Sequence, residues 1–482
     1  MDKLKNYSEK ALSSLKWSYL ATILPKIGGP ISLIILARLL MPEDYGILAT
    51  SITLTSLLHI LSSGGLAEVV IQRDGRNNEK TIQSAFWINF VLSLFFYIFL
   101  YVSSPFLSEF FNEPRLELVF KVHGLIILFK GWSVVHIGVL TRSFSFKKLT
   151  FLAFIPLLAN FIITIPLAYF GYHYWSLVIG SVISSFISLI LYFVISKFRP
   201  SIRTKIDFTV FNFSIFVMLD GLIGWIFANL DVAIISKYLS ISTAGNYFFA
   251  KNLITLSFGT LISPIFTIIF AYFSRLFEHE SAKMAVKLSK VFKLLSFVVF
   301  PLMVAAYFVS PIAIPLLFSN KWDDTILIFQ ILLLGEIAYL FMPFPEAFKA
   351  IGKPQIMLKI NLIQAVFAIT LFYYTASFYG VIIFCIARLS LSWIFGFHLY
   401  YGKKYLHYNS FFKDIGGSLI LSTSIFAIFL FLEYIYNFYF ISVNSWIVLT
   451  ILIVIGFILY LFSMTTLFKS DVLMIRNMLK KI

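Results

Sequence analysis

Fourteen apolar stretches, each about as long as a bilayer core is thick, follow one another through almost the whole chain. A helix needs about 20 mostly apolar residues to cross about 30 Å of hydrocarbon. The stretches fall near 17–38, 45–68, 84–107, 118–141, 150–170, 174–196, 210–235, 243–272, 288–310, 325–348, 356–377, 380–400, 415–435 and 444–467. Backbone in lipid must satisfy its own polar groups, and for runs of this length the helix does so. The chain is therefore expected to be an all-α polytopic membrane protein with about 14 transmembrane helices. The tightest connections are expected at Gly171 and at Tyr379–Gly380, where adjoining stretches almost touch. Only 12% of the 482 residues are charged, against roughly 25% in soluble domains, too few to clothe a water-soluble surface. The N-terminal lysines, Lys3, Lys5, Lys10 and Lys16, precede an apolar run from Trp17 that has no small-residue cleavage motif. That run is expected to be a first span that stays attached.

The distribution of Lys and Arg tests the span count independently, because cytoplasmic loops carry the excess of positive charge. With both termini in the cytoplasm, 29 Lys and Arg fall on the cytoplasmic side and 5 on the other: Arg38, Arg115, Lys121, Lys237 and Lys321. The same distribution accounts for the net charge of +16. Cationic loops lie against anionic membrane lipids, and no nucleic-acid-binding module interrupts the spans, so no nucleic acid is expected as a partner. The loops are too short to hold a soluble catalytic domain. Four bases remain within the membrane: Lys26, Lys130, Lys251 and Arg388.

An internal repeat is visible. Ile35-Leu36-Ala37-Arg38-Leu39-Leu40 recurs 199 residues later as Ile234-Ile235-Ser236-Lys237-Tyr238-Leu239, and Gly46 and Gly245 follow at equivalent places. The same offset aligns spans one to six with spans seven to twelve. Equal parity makes this a parallel repeat about an axis along the membrane normal. The expected division is a lobe over 1–205, a second lobe over 206–405, and two further helices with a tail over 406–482.

The segment Ala37-Arg38-Leu39-Leu40-Met41-Pro42-Glu43-Asp44-Tyr45-Gly46 resembles the first extracytoplasmic turn of the bacterial polysaccharide exporters. Gly65-Leu66-Ala67-Glu68-Val69-Val70-Ile71-Gln72-Arg73, Phe86-Trp87-Ile88-Asn89 and Ala350-Ile351-Gly352-Lys353-Pro354 are similar to other parts of that family. The resemblance covers roughly residues 10–410. It is to the colanic-acid and teichuronic-acid exporter type, within the multidrug/oligosaccharidyl-lipid/polysaccharide superfamily. The resemblance implies a MATE-like fold, two six-helix lobes around a central cavity that opens alternately to each side. It implies a flippase in the bacterial cytoplasmic (inner) membrane and not an enzyme. The implied substrate, an undecaprenyl-diphosphate-linked oligosaccharide, is carried from the cytoplasmic to the outer leaflet. No cofactor is implied beyond a coupling proton or sodium ion, and a polysaccharide polymerase and export machinery are open candidates as partners.

Ionisable groups inside a bilayer cost about 2.5–3.5 kcal/mol each on insertion scales and usually face a partner or a wet cavity. Lys26 lies in Leu24-Pro25-Lys26-Ile27-Gly28-Gly29-Pro30, where two prolines and two glycines are expected to interrupt the helix. It is expected to line the cavity and attract anionic substrate, the alternative being a structural pair with an acid. The superfamily's cavity is lined by spans one, two, seven and eight, so Lys26, His59, Asp220 and Lys251 are expected to share it. Ammonium groups there would serve a diphosphate as point charges. Asp220 has two readings, a pair with Lys26 or a site for a coupling proton or sodium ion. Glu336 falls near the repeat equivalent of Lys130, and the two are expected to pair. Arg388 is either an anchor between helices or a substrate contact. His59 is central in span two and is either a proton-coupling group or a satisfied helix contact, whereas His123 and His136 stand nearer span ends.

No G-x-x-x-x-G-K-[ST] motif is present, so the chain has no P-loop of its own. Cys385 is the single cysteine, which excludes an internal disulfide and a cysteine-rich metal site. A cation-coupled multidrug antiporter on the same fold is the alternative function. Four buried bases against two clear acids, Asp220 and Glu336, favour an anionic substrate over it. A membrane glycan polymerase or ligase is less consistent with the short outer loops.

Overall fold

The computed structural model describes residues 28–72, 78–143, 145–201, 206–259 and 283–439, with single positions or short runs between 262 and 277 and between 450 and 460. Lys26, the start of the first expected span, both termini and most of the fourteenth span lie outside the described residues. Every regular element among the described residues is helical. Ten helical segments there are long and apolar enough to cross a membrane, and each coincides with one or two of the expected spans. The chain is a multi-pass, all-α membrane protein.

By contacts the chain divides into two compact units, Met1–Phe248 and Phe249–Ile482. The first holds α1 (Gly28–Leu39), α2 (Pro42–Ser63), α3 (Leu66–Gln72), α4 (Asn78–Phe110), α5 (Arg115–His123), α6 (Leu125–Arg142), α7 (Phe146–Tyr169), α8 (Tyr174–Ile195), α9 (Phe211–Tyr238) and most of α10 (Ile241–Ile254). The division falls after residue 248, whereas the lobes expected from the repeat meet at 205. The difference arises because α9 packs along α2, and Trp225 Nε1 donates to Thr53 O (3.1 Å) and Ser56 Oγ (3.0 Å).

Each residue of the Pro-Glu-Asp-Tyr-Gly turn has a physical task. Pro42 opens α2 at its first position, where its missing N–H is no loss. The Asp44 carboxylate accepts the Met41 N–H at 2.8 Å, and Glu43 and Asp44 both favour the positive end of the helix dipole. Glu43 also pairs with Arg115 at the start of α5. Tyr45 is buried. Gly46 permits a backbone crossing: a Cβ there would lie 1.9 Å from Ile241 O, while one on Gly245 would lie 1.7 Å from Pro42 O.

Those two approaches are reciprocal, since 42 and 241, like 46 and 245, are 199 residues apart. The repeat is thus visible as geometry. The helix boundaries follow the same offset: α1 ends at Leu39 and α2 starts at Pro42, while α9 ends at Tyr238 and α10 starts at Ile241. The copies then diverge. α2 continues as regular helix to Ser63, but α10 passes into a π-helical segment, Thr255–Gly259.

α6 is the centre of the first unit: the apolar span Arg115–Arg142 that α5 and α6 make up is 61% buried against 22% for α7 and α8. It packs on α2, α3, α4 and α8. The outward faces of α7 and α8 are apolar, with Phe151, Leu158, Ile162 and Val194 exposed, as lipid contact requires. α7 and α8 form a hairpin turned at Gly171 (φ +81°), the expected tight connection. Gly180 brings them together, since a Cβ there would fall 1.9 Å from Thr164 Oγ1.

The second unit holds α11 (Met284–Phe318), α12 (Asp323–Leu334), α13 (Pro343–Ala350), α14 (Gln355–Ser390), α15 (Phe395–Leu406) and α16 (Phe411–Tyr439). α14 runs over two expected spans, and Gly380 (φ 79°, ψ 179°) breaks it where the second tight turn was expected. Aromatic rings hold this unit together. Phe292 lies 4.9–5.1 Å from Phe344, Tyr408 and Phe411, and Phe249 stacks on Trp322 at 3.9 Å.

Candidate functional site

Three helical stripes of the first unit, with parts of α5 and α6, line a cavity of about 470 Å³. α2 contributes Ile52, Thr55, Ser56 and His59; α7 contributes Ala153, Pro156, Leu157 and Asn160; α8 contributes Ser181, Ser184, Ser185 and Ser188. Each set has the spacing i, i+3, i+4, i+7 that places side chains on one face of a helix. His123 at the end of α5 and Ile126 and Lys130 on α6 complete the lining.

The hydroxyl groups are largely committed to their own helices. Thr55 donates to Ser51 O (2.8 Å), Ser56 to Thr53 O (3.0 Å), and Ser181 to Val178 O (2.8 Å). Ser184 and Ser185 both donate to Ser181 O, at 3.0 and 2.8 Å. A hydroxyl whose proton is spent in this way still offers its lone pairs. Ser56 Oγ already accepts from Trp225 Nε1 (3.0 Å) and Thr55 Oγ1 lies 3.4 Å from His123 Nδ1, so toward the cavity the open acceptors among these are Ser181, Ser184 and Ser185.

The donors are fewer and carry the positive charge. Lys130 Nζ makes no hydrogen bond or ion pair among the described residues, and no carboxylate is among the described residues of the lining. His59 Nδ1 is buried with no hydrogen-bond partner among the described residues. His123 differs, because its Nδ1 shares a 2.8 Å hydrogen bond with Ser51 Oγ. Asn160 Oδ1 accepts from Thr164 Oγ1 at 3.2 Å, which turns its carbonyl to a structural use. Lys130 is in electrostatic reach of both imidazoles. A single ammonium ion among oxygen acceptors is chemically suited to a polar ligand with negative charge.

Of the seven residues expected from sequence to form the site, the structure brings His59 and Lys130 into this cavity. Asp220 is exposed on α9 and is not part of the lining. Lys251, Glu336 and Arg388 belong to the second unit, where Glu336 and Arg388 lie in electrostatic reach of each other. Lys130, expected to pair with Glu336, makes no ion pair among the described residues; the opposite charge that Glu336 meets in its own unit is Arg388. Lys26 lies outside the described residues.

The four serines of α8 were not singled out in the sequence, although their spacing in an otherwise apolar helix is a usable signal. Asp231 was also missed. It is fully buried in α9 and accepts hydrogen bonds from Tyr247 Oη (2.7 Å) and Val232 N (2.8 Å). An Asp within an apolar run was the signal there.

The chain is similar to the lipopolysaccharide biosynthesis protein WzxC of Escherichia coli K12, with 24% identity over 366 residues, 74% of this chain and 73% of that protein. It is 24% identical over 338 residues to the succinoglycan biosynthesis transport protein ExoT of Rhizobium meliloti, covering 69% of this chain and 67% of that one. Its fold is that of a solved structure of the lipid II flippase MurJ in an inward closed conformation. The TM-score is 0.74 at 18% identity, over 96% of this chain and 100% of that one. Residues 35–327 match the polysaccharide biosynthesis protein family, and the chain belongs to that family.

Proposed function

We propose that this protein is a flippase for an undecaprenyl-diphosphate-linked oligosaccharide, which it moves from the cytoplasmic to the outer leaflet of the bacterial cytoplasmic membrane by alternating access. Family membership supports a role in polysaccharide biosynthesis, and the fold supports transport. The observation that carries the substrate class is the cavity lining, which has Lys130, abundant oxygen acceptors and no carboxylate among its described residues. A multidrug antiporter that exports hydrophobic cations would be served by the opposite polarity. The excess of Lys and Arg on one side of the spans supports cytoplasmic termini. In this reading Lys26 and Lys251 supply further positive charge for the diphosphate, and Asp220 is the candidate for a coupling proton or sodium ion. Glu336 and Arg388 act as a charge pair in the second unit. The chemistry asked of the protein is binding and release, with no bond made or broken.

Depletion in the native host tests the proposal. Surface glycan should fall while lipid-linked oligosaccharide accumulates facing the cytoplasm, and Lys26→Ala and Lys251→Ala should each reproduce part of that defect. Unchanged surface glycan with lowered resistance to cationic drugs would replace the flippase with the antiporter.

A further inference from the structure

We infer that the cavity between α2, α6, α7 and α8 is a subsite for one acidic monosaccharide unit of the transported glycan, which rests on the flippase reading. Lys130 takes the carboxylate, and the Ser181, Ser184 and Ser185 oxygens accept the sugar hydroxyl protons. The argument is one of matching donors to acceptors. Ser181, Ser184 and Ser185 have committed their protons to backbone carbonyls and have no other donor among the described residues, so a ligand that bonds to their oxygens brings O–H donors. Lys130 has three N–H donors, a full positive charge and no partner among the described residues, so the same ligand must bring negative charge.

Simpler ligands meet only half of these demands. Chloride or acetate would neutralise Lys130 and leave the three serine oxygens of α8 without donors. A neutral sugar would serve the oxygens and bring no counter-charge to the Lys130 ammonium. A hexuronate meets both, and His59, with an unpartnered Nδ1 in the same lining, adds one more polar contact. The volume agrees: about 470 Å³ lies within the roughly 300–1,000 Å³ of small-molecule sites. That is the size class of a saccharide unit and too small for an entire lipid-linked chain.

The test is equilibrium binding of radiolabelled D-glucuronate to the purified full-length protein in detergent, with D-glucose, acetate and chloride as competitors at constant ionic strength. Glucuronate should bind at least tenfold more tightly than glucose or acetate competes. Lys130→Gln should reduce its affinity to that of glucose. Ser184→Ala with Ser185→Ala should weaken glucuronate severalfold while leaving acetate competition unchanged, and this variant keeps the test decisive if Lys130→Gln fails to elute as a folded monodisperse species. Chloride or acetate competing as well as glucuronate would reduce the site to a bare anion pocket and overturn the inference. Equal binding of glucose, or no binding of glucuronate, would overturn it too. A host deletion separates the two levels: loss of surface glycan together with indifference to glucuronate removes only the subsite, whereas intact surface glycan removes the flippase reading itself.

Discussion

Adding a single methyl group at Gly46 or Gly245 should destabilise the first unit more than any other alanine substitution of a described glycine outside a turn. A Cβ at Gly46 would stand 1.9 Å from Ile241 O, and one at Gly245 would stand 1.7 Å from Pro42 O. Carbon and carbonyl oxygen in close contact sit at about 3.3 Å, so the crossing would have to open by about 1.4 Å. The obstructing atom is a backbone carbonyl at the first turn of a helix and cannot rotate aside as a side chain would. Overpacking of this kind costs about 1–3 kcal/mol, and the rigid obstacle places it in the upper half of that range. At roughly 2–4 °C per kcal/mol for a body of this size, each variant should melt about 4–12 °C lower. The two contacts are reciprocal, so opening one relieves the other. The double variant should therefore fall short of the sum of the singles by about 1 kcal/mol or more. Heating the detergent-purified variants and measuring the surviving monodisperse fraction by size exclusion reads these shifts. Gly416→Ala is the control, because nothing lies within 4 Å of its added methyl and helix propensity favours alanine there. Either single variant melting within 1 °C of wild type, or strict additivity in the double, would refute the reasoning.

Three other outcomes follow from particular contacts. His136 lies 4.3 Å from Phe193 and 5.3 Å from Phe198, with neither ring nitrogen hydrogen-bonded among the described residues, so His136→Phe should be neutral or stabilise by up to about 1 kcal/mol in the same thermal assay. Ser51→Ala removes the 2.8 Å partner of buried His123 Nδ1 and should cost about 1–2 kcal/mol, an effect that Ser51→Thr should largely restore. The Arg115 hydrogen bonds hold the Glu113 carboxyl below its ordinary value of 4.5. The stability this contributes is therefore complete above that value and is lost as pH falls through the lower folded-state value. Arg115 is exposed while Glu113 is largely covered, so solvent screening of the pair should hold the contribution to about 1 kcal/mol or less. Melting curves from pH 7 to pH 3 should show a shallower acid-side decline in Arg115→Met.

What could be read from the chain in advance was what local pattern controls. The spans were legible because about 20 apolar residues have one outcome in lipid, and the turns at Gly171 and Gly380 because each adopts a positive φ that glycine tolerates. The repeat was legible through a few residues around Arg38 and Lys237, and the structure adds its reciprocal glycine crossing. His59 and Lys130 were individually conspicuous as polar groups in apolar runs. Their meeting was not, because which helix faces which is decided by packing around α6, and no local pattern records that. The serines of α8 were passed over because hydroxyls in membrane helices ordinarily satisfy themselves on the preceding turn. Ser181, Ser184 and Ser185 do so here, and that leaves them as acceptors. Asp231 escaped notice because the partner that satisfies it, Tyr247, lies on the next helix.

The π-helical segment of α10 bears on stoichiometry. With the 199-residue offset, Thr255–Gly259 occupies the place of Ser56–Ile60 in α2, and buried Phe258 stands where His59 does. A π turn admits an extra residue and rotates everything beyond it, so the second half cannot align the Thr55, Ser56 and His59 stripe a second time. Among the described residues the turn therefore occurs twice and this lining once. Saturation binding should accordingly level off at one saccharide unit per chain, and a value of two would mean that the second half builds its pocket by other means.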